Sequence, residues 1–419
     1  MSVLGLRRLV AVATAVLLTA TTAGCRHHAA AASAPRISIT PSTSSLDQDV
    51  HIVVHGLPAN SVALIALSSA DAAGVRWRSS ASFRSDSTGT VDLDRDPARS
   101  GSYAGVHGMG LIWSQVPGAR GGDDKYQWNG AGARVFTVSV RQTGGRTTSA
   151  QFRRVLSVGA VSTQSTAAAV QGFAATFSPG VGSGLQHTAV MVLGGSEGGL
   201  PSGILERLLA AHGYPTLGLA YFGYRGLPRR MLRIPLEYFA RATRWLRHHR
   251  GVRRVVVIGI SRGSEAAQLL AAYYPRLVQG VVASVPNNLA LCAYPHCEGP
   301  AWTVHGRPVP FTRDSDIVTP LDNPRAFIPV ERIRGPMLMV CGDADQVWPS
   351  CAKADQIVAR LEAHHARTRH SLLVFGDADH FVGGLYPNEP VVGEWATTFA
   401  DQQARTLIWP RLLRFLASI

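Results

Sequence analysis

Apolar and polar positions follow two different rhythms along this chain. From about residue 36 to residue 158, short runs alternate every second position, among them Ile37-Ser38-Ile39-Thr40, His51-Ile52-Val53-Val54-His55 and Val135-Phe136-Thr137-Val138-Ser139-Val140. Gly, Pro, Asp and Ser interrupt them at intervals. A period of two gives each strand one face for a core and one for water, and many short strands joined by turns predict a small antiparallel β-sandwich of immunoglobulin-like type. Residues 162–184 are rich in Ser, Thr, Ala and Gly and read as a linker or as the entry strand of the next domain. Beyond them the rhythm changes. Continuous apolar runs at 188–193, 215–220, 255–260, 278–285, 337–341 and 371–375 alternate with helical segments ending at His212 and covering 235–250, 264–274 and 353–364. Strands that are apolar throughout are covered on both faces, so this half predicts an α/β fold, a mainly parallel sheet between helices. Right-handed crossovers then place the functional loops at the carboxyl ends of the strands.

The resulting division is a targeting segment at 1–25, a linker at 26–35, the β-sandwich at 36–160, a linker at 161–184 and the α/β domain at 185–419. A chain of 419 residues, 46% hydrophobic, is large enough for two such cores. The start carries Arg7 and Arg8 and then an apolar stretch, 9–23, that is short for a bilayer span. Thr22-Ala23-Gly24-Cys25 resembles the lipobox of bacterial lipoproteins, which implies acylation of Cys25 and anchoring of an exported protein to the cell-envelope membrane. Cleavage after Ala32-Ser33-Ala34 is the rival expectation and would release a soluble secreted protein. With Cys25 lipidated, Cys292, Cys297, Cys341 and Cys351 remain, an even set in which pairing of the sequence neighbours, Cys292 with Cys297 and Cys341 with Cys351, is expected, with buried free thiols as the alternative. Their spacings match no zinc pattern, so no metal is expected.

The net charge of +14 is carried almost wholly by arginine, with only Lys125 and Lys353 as lysines, and is spread along the chain. Without a basic patch interleaved with aromatics, nucleic acid is not an expected partner. Nothing in the pattern sets an oligomeric state.

Two segments carry the spacing G-x-S-x-G: Gly194-Gly195-Ser196-Glu197-Gly198 and Gly259-Ile260-Ser261-Arg262-Gly263. The motif marks a nucleophile elbow, where a strained strand-to-helix turn exposes the serine hydroxyl and aims the following N–H at an oxyanion. Strand order separates the two. Acid and base candidates follow two and three strands after Ser261, the order of an α/β-hydrolase, so Ser261 is the expected nucleophile. The earlier Ser196 loop then supplies backbone donors from Ser196 and Glu197 to an oxyanion hole completed by the Arg262 N–H. Its glycine spacing is not G-x-G-x-x-G, and no dinucleotide or other cofactor is expected. In Gly342-Asp343-Ala344-Asp345, Asp345 is the expected triad acid, three residues past the glycine, with Asp343 capping the loop or solvated. His380, in Gly376-Asp377-Ala378-Asp379-His380, is the expected base.

At these residues the chain resembles the acyl-CoA thioesterase and bile acid-CoA:amino acid N-acyltransferase family. The similarity runs through Gly101-Ser102-Tyr103-Ala104-Gly105, Met109-Gly110-Leu111-Ile112-Trp113, Leu219-Ala220-Tyr221-Phe222-Gly223-Tyr224 with Leu227-Pro228, and Leu236-Glu237-Tyr238-Phe239. It continues in the elbow through Glu265, in Phe327-Ile328-Pro329-Val330-Glu331-Arg332, and in Gly342-Asp343-Ala344-Asp345 with Trp348 and Ser350. The resemblance implies a triad on the same Ser261, Asp345 and His380. A serine nucleophile, as in the thioesterase branch, favours hydrolysis of acyl thioesters or esters; acyl transfer to an envelope or amino-acid acceptor and a non-catalytic envelope binding protein are the alternatives. Glu197 stands where the family usually has small residues. Residues 286–329, between two core strands and carrying Trp302 and Phe311, are expected to form a lid and much of an acyl pocket.

Overall fold

The structure is a computed structural model describing residues 34–118, 126–128, 132–141, 147–157, 161–166, 171–181, 187–249, 251–319, 322–390 and 399–419. The targeting segment, with Cys25, lies outside the described residues.

The N-terminal half forms the expected two-layer β fold. One sheet joins Arg36–Thr40, His51–His55 and Val91–Asp92. The other runs Thr43–Ser45, Thr147–Val155, Arg134–Arg141, Val62–Ala70, Arg76–Arg84 and Ser100–Gly101, with Val116–Pro117 also on Arg76–Arg84. Alternation is legible in Val62–Ala70, where Ala63, Ile65 and Leu67 are buried and Val62 and Leu64 exposed. Between the layers sit Trp77, Phe83, Phe136 and Phe152, with the Trp77 and Tyr126 rings 5.4 Å apart. The sandwich is not wholly antiparallel, because Thr43–Ser45 pairs parallel with Thr147–Val155. That strand is three residues long, too short for a periodic signal.

Its turn is held from below by Arg154, fully buried, whose guanidinium donates to the Ser45 and Leu46 carbonyls at 2.9 and 2.7 Å. Burial pulls the guanidinium down to about 10. The same turn docks on the α/β domain. Asp47 lies 2.7 Å from His212 Nε2 and accepts the Trp409 indole N–H at 3.2 Å, while Asn388 donates to Asp49 at 3.1 Å. Burial pushes the Asp47 carboxyl up, but its bonds to His212 and Ser45 outweigh that and leave it below its ordinary value.

The second half is an eight-stranded sheet in the order Gln164–Thr166, Ala174–Ser178, Thr216–Ala220, Thr188–Leu193, Arg254–Ile260, Gly280–Ser284, Met337–Gly342 and His370–Phe375. The last six are mutually parallel, and Ala174–Ser178 pairs antiparallel on both its sides, so within 161–184 the segments Gln164–Thr166 and Ala174–Ser178 are strands of this sheet, as the entry-strand alternative has it, and not linker. Small side chains explain the difference: Ala174, Ala175 and Phe177 are buried, and Phe177 packs edge-on to Trp245 at 5.3 Å. Composition left linker and entry strand as alternatives, and the residues are compact enough for a covered edge.

Helices Ile204–Ala211, Leu236–Arg247, Arg262–Tyr273, Ser350–Ala363 and Phe399–Ala417 flank the sheet. The first begins later than the apolar pattern suggested, leaving 194–203 as a loop. Both expected disulfides form, Cys292–Cys297 and Cys341–Cys351, with Cα atoms 5.2 and 5.1 Å apart.

Candidate active site

Ser261 stands between strand Arg254–Ile260 and helix Arg262–Tyr273 at φ 55°, ψ −124°, a conformation that L-residues adopt only when their surroundings enforce it. Its N–H donates to the Ser284 carbonyl at 3.0 Å. The flanking glycines follow from close approach: a Cβ on Gly259 would collide with the Gly263 carbonyl, and one on Gly263 with the carbonyls of Leu193 and Gly194. The turn therefore presses against the 194–198 loop, and G-x-S-x-G is a packing requirement.

His380 lies in the short 3-10 turn His380–Gly384 after strand His370–Phe375, and its Nε2 is 3.0 Å from Ser261 Oγ. Its Nδ1 is 3.0 and 2.9 Å from the two Asp345 carboxylate oxygens. Asp345 Oδ1 also accepts the N–H groups of Val347 at 2.9 Å and Trp348 at 3.3 Å. Fixed acceptor geometry of this kind sets the imidazole so that Nε2 faces the serine. Trp348 stands edge-on to the His380 ring at 5.3 Å and donates its indole N–H to the Val285 carbonyl at 3.3 Å. Val285 is a β-branched residue at φ 42°, an outlier at the carboxyl end of the neighbouring strand.

The three residues named from strand order thus meet in one line. Ser196 does not enter it, and Asp343 is exposed, with its N–H on the Phe375 carbonyl. Beside the base, burial and then the neighbouring Asp401 carboxylate push Asp379 up to about 6. Asp379 itself accepts the Phe381 N–H at 2.7 Å.

The oxyanion side has two walls. Arg262 opens the helix, so its N–H has no place in the i→i−4 ladder and is available above Ser261. Opposite it, Gly195 abuts Ser261: a Cβ there would lie 3.0 Å from Ser261 Cβ. The Gly195 N–H is already engaged, donating to Glu197 Oε1 at 2.9 Å. Tyr221 braces this loop by donating its phenol to the Gly194 carbonyl at 2.7 Å. Burial, with the Glu197 charge adding to it, holds that phenol well above its ordinary value.

Beneath the elbow lies a network that pattern reasoning did not find. The buried Arg262 Nε is 2.7 Å from Glu265 Oε1, and the same guanidinium donates to the Cys292 carbonyl at 2.9 Å. Glu265 Oε2 accepts the Trp302 indole N–H at 3.0 Å and the Leu291 N–H at 3.1 Å. Burial raises the Glu265 carboxyl, against the pull of Arg262 and Trp302. The available signal was the i, i+3 spacing of opposite charges at the helix start. Segment 286–329 is therefore tied to helix Arg262–Tyr273, and Trp302 is a buried anchor beside Phe239 and Tyr221. Leu289 and Leu291 of this segment cluster with Trp348, the residue edge-on to His380, with Ile317 and Phe327 packed against them.

Cys341 and Cys351 close the loop that carries Asp345 and Trp348. A closure this short contributes somewhat less than about 3 kcal/mol. The larger expected effect is on geometry: Cys351→Ser, or mild reduction, should lower kcat several-fold with KM little changed. Steady-state kinetics with peptide mapping of the bridge checks this, and equal kinetics with and without the bridge would limit its role to stability.

Sheet order, elbow and the geometry around Ser261 define an α/β-hydrolase fold behind a β-sandwich. The chain belongs to the acyl-CoA thioester hydrolase and BAAT family: residues 47–166 match the Acyl-CoA thioester hydrolase/BAAT N-terminal region and residues 234–409 the BAAT/Acyl-CoA thioester hydrolase C terminal region. It is similar to acyl-coenzyme A thioesterase 1 of Mus musculus, 29% identical over 375 residues, 84% of this chain and 86% of that protein. To the mitochondrial acyl-coenzyme A thioesterase 2 of Homo sapiens it is 29% identical over 363 residues, 81% and 73% of the two chains. Among solved structures, an alpha/beta hydrolase enzyme from a Medee basin deep-sea metagenome library aligns at 16% identity and TM-score 0.42, over 61% of this chain and 98% of that one.

Proposed function

We propose that the protein hydrolyses acyl thioesters or esters through an acyl-Ser261 intermediate. The observation that carries this reading is the line from Ser261 Oγ through His380 Nε2 and Nδ1 to the Asp345 carboxylate, with separations of 2.9 to 3.0 Å. His380 takes the hydroxyl proton as Ser261 Oγ bonds to the substrate carbonyl carbon, and the oxyanion accepts hydrogen bonds from backbone N–H groups led by Arg262. Collapse expels the thiol or alcohol, which leaves with the proton held on His380. Water, deprotonated by His380, then releases the carboxylic acid and restores Ser261. Membership of a thioester hydrolase family supports the thioester as substrate.

The compartment belongs to the same proposal. Two disulfides suit an oxidising compartment, in keeping with export and anchoring through Cys25. Mass spectrometry of the mature N-terminus is expected to find acylated Cys25; a chain beginning at Pro35 would replace the anchored form with a secreted one.

A panel of CoA thioesters, N-acetylcysteamine thioesters and nitrophenyl esters, with product identification, tests the activity. Free acid is the expected product, whereas conjugates formed with an added amine acceptor would favour transfer. Absence of turnover together with no fluorophosphonate labelling of Ser261 would overturn the reading.

A further inference from the structure

Glu197 places a carboxylate against the reacting centre. Its Oε2 lies 3.0 Å from the point where a Cβ on Gly195 would stand, and Ser261 Cβ lies 3.0 Å from that same point. The carboxylate oxygen and the nucleophile's Cβ are therefore no more than about 6 Å apart. The side chain is held there, because Oε1 accepts the Gly195 N–H at 2.9 Å in a charge-assisted bond. Among the described residues no Lys, Arg or His forms an ion pair with it, and the nearby guanidinium of Arg262 is buried and committed to Glu265 and the Cys292 carbonyl. A formal negative charge so close to the place where substrate carbonyl and oxyanion must sit bears on any charge the substrate carries near its scissile bond. Glu197 is exposed and water screens its charge, yet at this separation the Coulomb interaction still changes relative rates by roughly a few-fold for each substrate charge.

We propose that Glu197 sets the charge selectivity of the site: it favours acyl thioesters or esters bearing a cationic group near the scissile carbonyl and disfavours those bearing an anionic one. The inference rests on the acyl-Ser261 reading above. Charges far along a leaving group, as on the phosphates of a nucleotide, lie beyond a Debye length or close to it and are largely screened. The discrimination therefore applies to the acyl group and the first atoms of the leaving group.

The test uses three fluorophosphonate probes with one reactive phosphorus and a pendant trimethylammonium, hydroxyl or carboxylate group. Second-order rates of Ser261 labelling are read by intact-protein mass spectrometry. The wild-type chain is expected to label in the order cationic, neutral, anionic. Glu197→Gln keeps an acceptor for the Gly195 N–H and removes only the charge, so it should lower the cationic-to-anionic rate ratio by roughly tenfold. Added salt should compress the wild-type ratio and leave that of the variant nearly unmoved. Glu197→Ala removes the hydrogen bond as well. If it slows all three probes while Glu197→Gln keeps the wild-type ratio, the side chain merely braces the loop and the proposal is overturned. Matched N-acetylcysteamine thioesters of succinyl, butanoyl and 4-(trimethylammonio)butanoyl groups, corrected for spontaneous hydrolysis, give the same ratio in turnover. Failure of the neutral probe to label the wild-type protein would instead overturn the acyl-Ser261 reading.

Discussion

Replacing Ser261 with alanine is expected to lower kcat by roughly 10⁵- to 10⁶-fold and to abolish fluorophosphonate labelling. The alternative serine, Ser196, adjoins the residue whose side chain occupies the Gly195 N–H, and His380 Nε2 is bonded to Ser261 Oγ instead. Ser196→Ala should therefore remain labelled, with any loss confined to the positioning of the oxyanion loop. Steady-state hydrolysis and labelling of both variants decide the assignment, and labelling lost in Ser196→Ala but kept in Ser261→Ala would reverse it. Measuring folding alongside is informative here, because Ser261 holds a positive φ that alanine tolerates poorly. A Ser261→Gly variant relieves that strain and should be equally inactive.

Asp345→Asn should lower kcat by about 10⁴-fold, the scale of a wrong-tautomer base. Both Asp345 oxygens lie within hydrogen-bond distance of His380 Nδ1, and Oδ1 additionally accepts the Val347 and Trp348 N–H groups. An amide at this position can keep the loop in place with its oxygen on the backbone donors, but then it turns an NH₂ toward the imidazole. Nδ1 must accept that hydrogen, the ring proton moves to Nε2, and the base can no longer take the Ser261 proton. Asp343→Asn should be mild, since that side chain is exposed and takes no part in the line. The diagnostic comparison is kcat against KM for the two variants with one thioester: equal losses would leave the triad acid unassigned.

The fate of individual assignments tracks the range of the forces involved. Ser261, Asp345 and His380 could be named because each sits on a loop just after a continuous apolar run, and runs of that kind become parallel strands with their carboxyl ends on one edge. Their convergence is a consequence of topology, and topology is written in the order of strands and helices. The sandwich was legible for the same kind of reason, since a period of two survives in Val62–Ala70 and Arg134–Arg141 whatever the partner strand. Ala174–Ser178 was legible only as one of two alternatives, linker or entry strand, because small residues carry little hydrophobic signal and their burial depends on what covers them.

By itself, then, the sequence determined the class of fold, the loops on which Ser261, Asp345 and His380 sit and which cysteines are neighbours, all of which rest on local pattern or on short separations along the chain. Tertiary structure alone decided what the charged side chains do. Arg262 turns inward to Glu265, and that carboxylate meets Trp302, 37 residues further along. Asp47 crosses to His212 and Trp409, joining the sandwich to the α/β domain over 165 and 362 residues. Glu197 bends back onto Gly195 beside the nucleophile. A charged side chain has no periodic signature. Its energy depends on desolvation and on partners within a few ångströms, and those are set only when distant segments are packed together.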